Sequence, residues 1–154
     1  MRRTNTIPAA RGATLAIAAV LAITPLAARA AKPSSVTYYR AETVASSFEK
    51  GAVLFQGDEN YMIHTSRRTA PGMAEVHAED TDLIYVVQGS ATFVTGGRVL
   101  DGKETAPGET RGASIKGGET RTLSPGDVVI VPNNVPHWFK DVRGPLLYYT
   151  VKVR

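Results

Sequence analysis

The sequence contains no cysteine. That excludes disulfides, thiolate metal ligands, a thiol nucleophile and a lipid-modified cysteine anchor. Any bound metal must be held by nitrogen and oxygen. Histidine is scarce, with three in 154 residues, so each is a candidate. No serine sits in a nucleophile-elbow sequence, and no glycine-rich phosphate loop leads from a strand into a helix. Beyond residue 50 no segment longer than about ten residues has helical periodicity.

A global excess of one charge is also missing from most of the chain. The pI of about 9.5 suggests a nucleic-acid partner. However, of the 18 basic residues, Arg2, Arg3, Arg11 and Arg29 precede residue 31, which leaves 14 against 14 acidic residues. No basic field remains to draw DNA, RNA or anionic lipid.

The first 30 residues have the form of a secretory signal. Arg2, Arg3 and Arg11 supply the positive start, Ala13 to Leu26 the apolar stretch, and Ala28-Arg29-Ala30 a small-x-small cleavage site. Pro25 interrupts an apolar segment already short for a membrane span, so no stable membrane anchor is expected. The expected organisation is a signal peptide over 1–30, a linker over 31–35, and one β domain over 36–154. The protein is expected to be exported, periplasmic or extracellular.

Strand signals then recur with turn signals between them. Val36–Tyr39 is expected as a short strand and Ala41–Lys50 as a turn of helix ending at Gly51. Strands are expected over Gly51–Gln56 and Tyr61–Ser66. A hairpin is expected from Leu83–Gln88, a tight turn at Gly89-Ser90, and a return over Ala91–Thr95. Asp82, Ile84, Val86 and Gln88 share one face of the first strand, and Leu83, Tyr85 and Val87 the other. Both faces are largely apolar, which suggests burial on two sides. The polar, glycine-rich stretch from Gly96 to Gly118 is read as a surface excursion. Further strands are expected at Glu119–Leu123, Val128–Val131, His137–Lys140 and Leu146–Val151. The sum is a single all-β sandwich or barrel.

One stretch concentrates the chemistry. Glu75 and His77 are two apart, on one face of a strand. Asp82 opens the next strand, and His137 arrives much later, after Val131-Pro132-Asn133-Asn134-Val135-Pro136. Two imidazoles and two carboxylates would bring a divalent ion to formal neutrality. His77, Asp82 and His137 resemble the facial triad of non-haem iron proteins, with Glu75 a fourth ligand or a general base. Iron(II) or manganese(II) suits the hard oxygen donors, and zinc(II) is compatible. His64 is read as a partly exposed strand histidine. Glu79 and Asp80 are expected to face solvent. Of Trp138 and Phe139, one should face inward and one outward.

These residues resemble the two sequence blocks of the cupin family. Glu75-x-His77, four residues, Asp82, six residues, Gly89 keeps the spacing of the first block, with glutamate at its first histidine and aspartate at its glutamate. Gly126, five residues, Pro132-x-Asn134, two residues, His137, three residues, Asp141 keeps that of the second. Asn134 stands in place of a glycine. The resemblance implies a double-stranded β-helix, or jelly-roll barrel, with a metal held by the matching positions. It implies a small-molecule ligand or substrate inside the barrel and pairing into a homodimer. The functions it leaves open are a dioxygenase-like metal enzyme, a non-catalytic binding barrel, and a metal-independent isomerase or lyase using Glu75, Asp82 and His77 as acid and base.

Overall fold

A computed structural model describes residues 36–57 and 60–154. The expected signal peptide and linker lie outside the described residues. Among the described residues the first element is helix α1 (Ala41–Lys50), which ends where Gly51 turns left-handed at φ 60° and donates its N–H to Phe48 O. Phe48 is the buried residue of this helix, and its ring meets the edge of Tyr149 with centroids 4.9 Å apart.

Eleven strands follow among the described residues. They are β1 (Val53–Gln56), β2 (Tyr61–Arg68), β3 (Ala74–His77), β4 (Thr81–Thr95), β5 (Arg98–Leu100), β6 (Lys103–Ala106), β7 (Glu109–Gly112), β8 (Ser114–Lys116), β9 (Glu119–Leu123), β10 (Val128–Val131) and β11 (His137–Val153). Nine form one curled antiparallel sheet, and β5 pairs with β8 separately. Along the sheet the order is β1-β2-β11-β3-β7-β6, and β4 lies against β11 with β9 and β10 on its other edge.

The long pair β4–β11 is the spine. Its ladder runs from Thr95 opposite His137 to Thr81 opposite Val153. The hairpin expected at Gly89-Ser90 is not formed. β4 continues through Gly89, which bends it at φ 82°. The two expected C-terminal strands are likewise one, β11, bent at Gly144 with φ 69°. The register shifts between Arg143 and Tyr148, so the extra residues are absorbed as a bulge. A glycine inside a strand pattern can mark such a bend as readily as a turn. β9 and β10 follow the bend one after the other along the same edge of β4, with β9 on Ala91–Thr95 and β10 on Asp82–Tyr85.

Over its first half, Asp82 to Gln88, only one face of β4 is covered by the described residues. Asp82, Ile84 and Val86 are buried, whereas Tyr85, Val87 and Gln88 are exposed. The expectation of two buried faces therefore fails over this stretch: among the described residues no second layer covers Tyr85 and Val87. Inside, Ile84, Val86, Ala91, Phe93, Leu123, Val131, Phe139, Leu146 and Tyr148 form the core. Val36–Tyr39 is not a strand either. Val36 is 96% and Tyr38 80% exposed. Its β propensity finds no neighbouring strand to pair with, and propensity alone does not make a ladder.

Gly89 offers a test of the spine. A β-carbon there would lie 2.5 Å from Pro145 O and 2.9 Å from the Leu146 Cα. At Gly144 no atom lies within 4 Å of the equivalent position. Gly144→Ala should cost about 1 kcal/mol through its positive φ alone. Gly89→Ala adds a backbone clash between the two central strands and should cost about 2–4 kcal/mol. Urea denaturation of both variants checks this, and equal losses would show that the close approach at Gly89 is unimportant.

Candidate metal centre

The site is built where β3, the start of β4 and the start of β11 meet. Glu75 and His77 leave β3 two residues apart, and His137 lies directly opposite Glu75 in the β3–β11 pairing. The turn before β11 is fastened to the end of β3. Asn134, at φ 61°, donates its backbone N–H to His77 O at 2.7 Å and its side-chain amide to Ala78 O at 3.3 Å. Asparagine tolerates the left-handed backbone that a glycine would otherwise supply. The proline-rich turn thus delivers His137 to the strand that carries His77.

Glu75, His77 and His137 each offer a donor atom, and the three atoms lie within 4.8 Å of one another. Glu75 Oε2 is 4.0 Å from His77 Nε2 and 3.9 Å from His137 Nε2. Asp82 stands beside this group. Its Oδ2 is 3.3 Å from His77 Nε2 and 3.7 Å from His137 Nε2, while its Oδ1 accepts from Lys152 Nζ at 2.8 Å. All four residues named from the sequence are therefore together, but Asp82 shares its charge with a lysine opposite it on β11.

Both imidazoles are aimed by their other nitrogen. His77 Nδ1 is 2.6 Å from Glu109 Oε2. His137 Nδ1 is 3.3 Å from Val135 O. Each acceptor holds a proton on Nδ1, which leaves the Nε2 lone pairs facing the centre. His77 Nε2 is buried with no hydrogen-bond partner. An orphaned buried nitrogen is costly unless something else occupies its lone pair. Donors about 2.1 Å from a common ion stand roughly 3.0–3.5 Å apart. The carboxylate–imidazole spacings of 3.3–4.0 Å, in a donor group whose atoms lie within 4.8 Å of one another, would contract toward that on binding. The donor set and its geometry fit a divalent metal.

The protonation of the site follows its charges. Burial pushes the His77 pKa down, but the Asp82 carboxylate outweighs it and the net shift is upward. Burial disfavours the charged form of Asp82, yet His77 and Lys152 hold its pKa below the usual range. His137 is driven down, first by burial. A low His137 pKa keeps that imidazole neutral, which is the ligating form.

Several surrounding residues were not foreseen. Glu109 lies on β7, which pairs with β3 in register His77–Glu109. The stretch from Gly96 to Gly118 is therefore not merely a surface excursion. Two of its strands, β7 and then β6, extend the sheet from β3 at the site. Glu109 belongs to neither family block and has no metal-ligand spacing, so no sequence signal marked it. Asp80, expected in solvent, is 6% exposed. It is held by Arg154 Nε at 2.8 Å and lies 3.7 Å from Lys152 Nζ. Glu79 does face solvent. His64 is half-buried, lies 2.8 Å from Met62 Sδ through Nε2, and lines the same cavity outside the donor group. Phe139 turns inward to the core, while Trp138 is half-buried with its Nε1–H on Gly72 O at 2.8 Å.

The cupin family model matches residues 61–151, well over half of the chain, and the chain belongs to the cupin family. Among curated proteins none matches in sequence. In structure the chain is similar to BH2720 of Bacillus halodurans, with TM-score 0.55 and 12% identity over 80% of this chain and 86% of that one. It is also similar to the DMSP lyase DddQ of Ruegeria pomeroyi, with TM-score 0.48 and 15% identity over 67% and 45% of the two chains. A third similarity is to hydroquinone 1,2-dioxygenase of Sphingomonas sp. TTNP3, with TM-score 0.46 and 15% identity over 62% and 60%. The first likeness is one of fold alone.

Glu109 gives the prediction that separates a tuned metal site from a cluster of polar groups. Glu109→Gln should keep the fold and lower affinity for added manganese(II) or zinc(II) about 10–100-fold. Metal titration followed by calorimetry measures it. Unchanged affinity would show that the Nδ1 contact does not orient His77 for a metal.

Proposed function

We propose that this cupin binds one divalent metal through His77, His137 and Glu75 and acts on a small organic molecule in the cavity beside them. The observation that carries the reading is the pair of imidazoles whose Nδ1 atoms are both engaged, leaving Nε2 lone pairs turned to a shared carboxylate. Glu75 is then a ligand rather than a free base. Asp82, neutralised by Lys152, contributes its second oxygen or serves as the charge beside the ligands. Iron(II) or manganese(II) is the preferred ion for two nitrogens and a carboxylate. Once bound, such an ion supplies Lewis acidity and, in these two cases, one-electron chemistry, so a dioxygenase-like reaction is the favoured class.

The chain's own residues do the rest. Glu109 and Val135 O fix the imidazole tautomers. Ile84, Phe139 and Tyr148 wall a cavity of about 440 Å³, a size suited to a small molecule. Arg111, 3.5 Å from Glu75, offsets the charge of that carboxylate. Elemental analysis of protein purified without added metal tests the reading. Near-stoichiometric iron or manganese is expected in wild type, with loss in His137→Ala and Glu75→Gln while the β-sheet signal in circular dichroism persists. Equal metal content in wild type and His137→Ala would overturn it, and the protein would then be a metal-free binding barrel.

Export is the second element of this proposal, supported by the arrangement of Arg2, Arg3, the apolar stretch and Ala28-Arg29-Ala30. The mature protein should start near Ala31. Intact-mass measurement on protein from the native host checks this, and a mass that retains Met1 to Ala30 would reject it.

A further inference from the structure

Four carboxylates and four cationic side chains line the cavity. The carboxylates are Glu75, Asp80, Asp82 and Glu109, and the cations are Arg68, Arg111, Lys152 and Arg154. Three of the cations are already matched. Lys152 lies 2.8 Å from Asp82, Arg154 2.8 Å from Asp80, and Arg111 3.5 Å from Glu75. Arg68 is the exception: it has no ion pair with a carboxylate among the described residues. It is nonetheless held in place. Its Nε donates to Tyr148 Oη at 2.7 Å, and its guanidinium carbon lies 4.8 Å from the centre of the Phe139 ring. Gly72 leaves the room in which the guanidinium sits, since a β-carbon there would collide with Nη1.

A planar guanidinium fixed through Nε and stacked on an aromatic ring still offers N–H groups on both terminal nitrogens. That fork matches a carboxylate, and because the side chain is already ordered, little entropy is lost on binding. Charge balance points the same way. The side chains around the cavity cancel formally, so a divalent ion would leave it positive and favour an anionic occupant.

We propose that the molecule bound in this cavity is a small organic acid whose carboxylate is held by Arg68. This rests on the reading of the cavity as a small-molecule site, and it deepens that reading by naming the substrate class. Arg68 is a binding and specificity residue in this proposal. It holds the acid group at the Tyr148 side of the cavity, opposite in role to the histidines that face the metal.

The test titrates acetate, succinate and benzoate, each against its neutral amide, into the purified protein by calorimetry. Metal content is measured on the same samples, before and after chelator treatment. At least one acid should bind about tenfold or more tightly than its amide. Arg68→Gln should weaken that acid about 10–100-fold without changing metal content. If no acid binds more tightly than its amide, or if folded Arg68→Gln keeps the wild-type affinity, the inference is overturned. Acid binding that vanishes with the chelator but survives Arg68→Gln would assign the carboxylate to the metal and also overturn it. Conversely, acid binding that needs Arg68 in a protein with no metal would uphold the inference and remove the metal reading. Should Arg68→Gln fail to fold, Arg68→Lys takes its place. It keeps the charge but loses the fork, so weaker acid binding is expected and undiminished affinity counts against the proposal.

Discussion

The antiparallel ladder between β4 and β11 is the constraint on which the rest depends. Its register sets Lys152 opposite Asp82 at one end and His137 opposite Thr95 at the other. Because side chains alternate between faces, a slip of one residue would turn Asp82, Ile84 and Val86 outward together. It would remove the core and separate the aspartate from its lysine in the same step. Packing and electrostatics are thus locked to one pairing, and the bends at Gly89 and Gly144 let that pairing curl around the buried Phe93.

Within this frame the centre is arranged by charge. Burying carboxylates and imidazoles costs solvation, and each buried group here meets a partner that offsets it. Asp82 has Lys152, Asp80 has Arg154, and His77 has Glu109. Among the described residues the atom left over is His77 Nε2. Proteins leave few such atoms, and one that faces two carboxylates and a second imidazole has the surroundings of a metal ligand.

Much of this was readable in the sequence, for a physical reason. Strand alternation and ligand spacing are local, so Glu75, His77, Asp82 and His137 could be named as neighbours before any coordinates. The family blocks supplied the distance between them that spacing alone cannot. Two kinds of feature were not readable. A glycine at positive φ looks the same in a tight turn as in a bulge, so β4 and β11 were each expected as two strands. Contacts made by pairing also leave no local mark. Nothing near Glu109 shows that β7 docks on β3, and nothing near Asp80 shows that Arg154 returns to bury it. Val36–Tyr39 shows the converse, a strand-like composition with no neighbour to pair with.

The contact between Glu109 and His77 has a consequence for the hairpin that carries it. His77, when neutral, has one imidazole proton and two carboxylates that compete for it: Glu109 at Nδ1, and Asp82 within 3.3 Å of Nε2. With β7 docked on β3, Glu109 holds the proton and Nε2 is an electron-pair donor. A proton on Nε2 instead, facing Asp82, would make the same ring a hydrogen-bond donor there, with no lone pair for a cation. The β6–β7 hairpin therefore carries the carboxylate that sets the tautomer of a buried ring on a neighbouring strand.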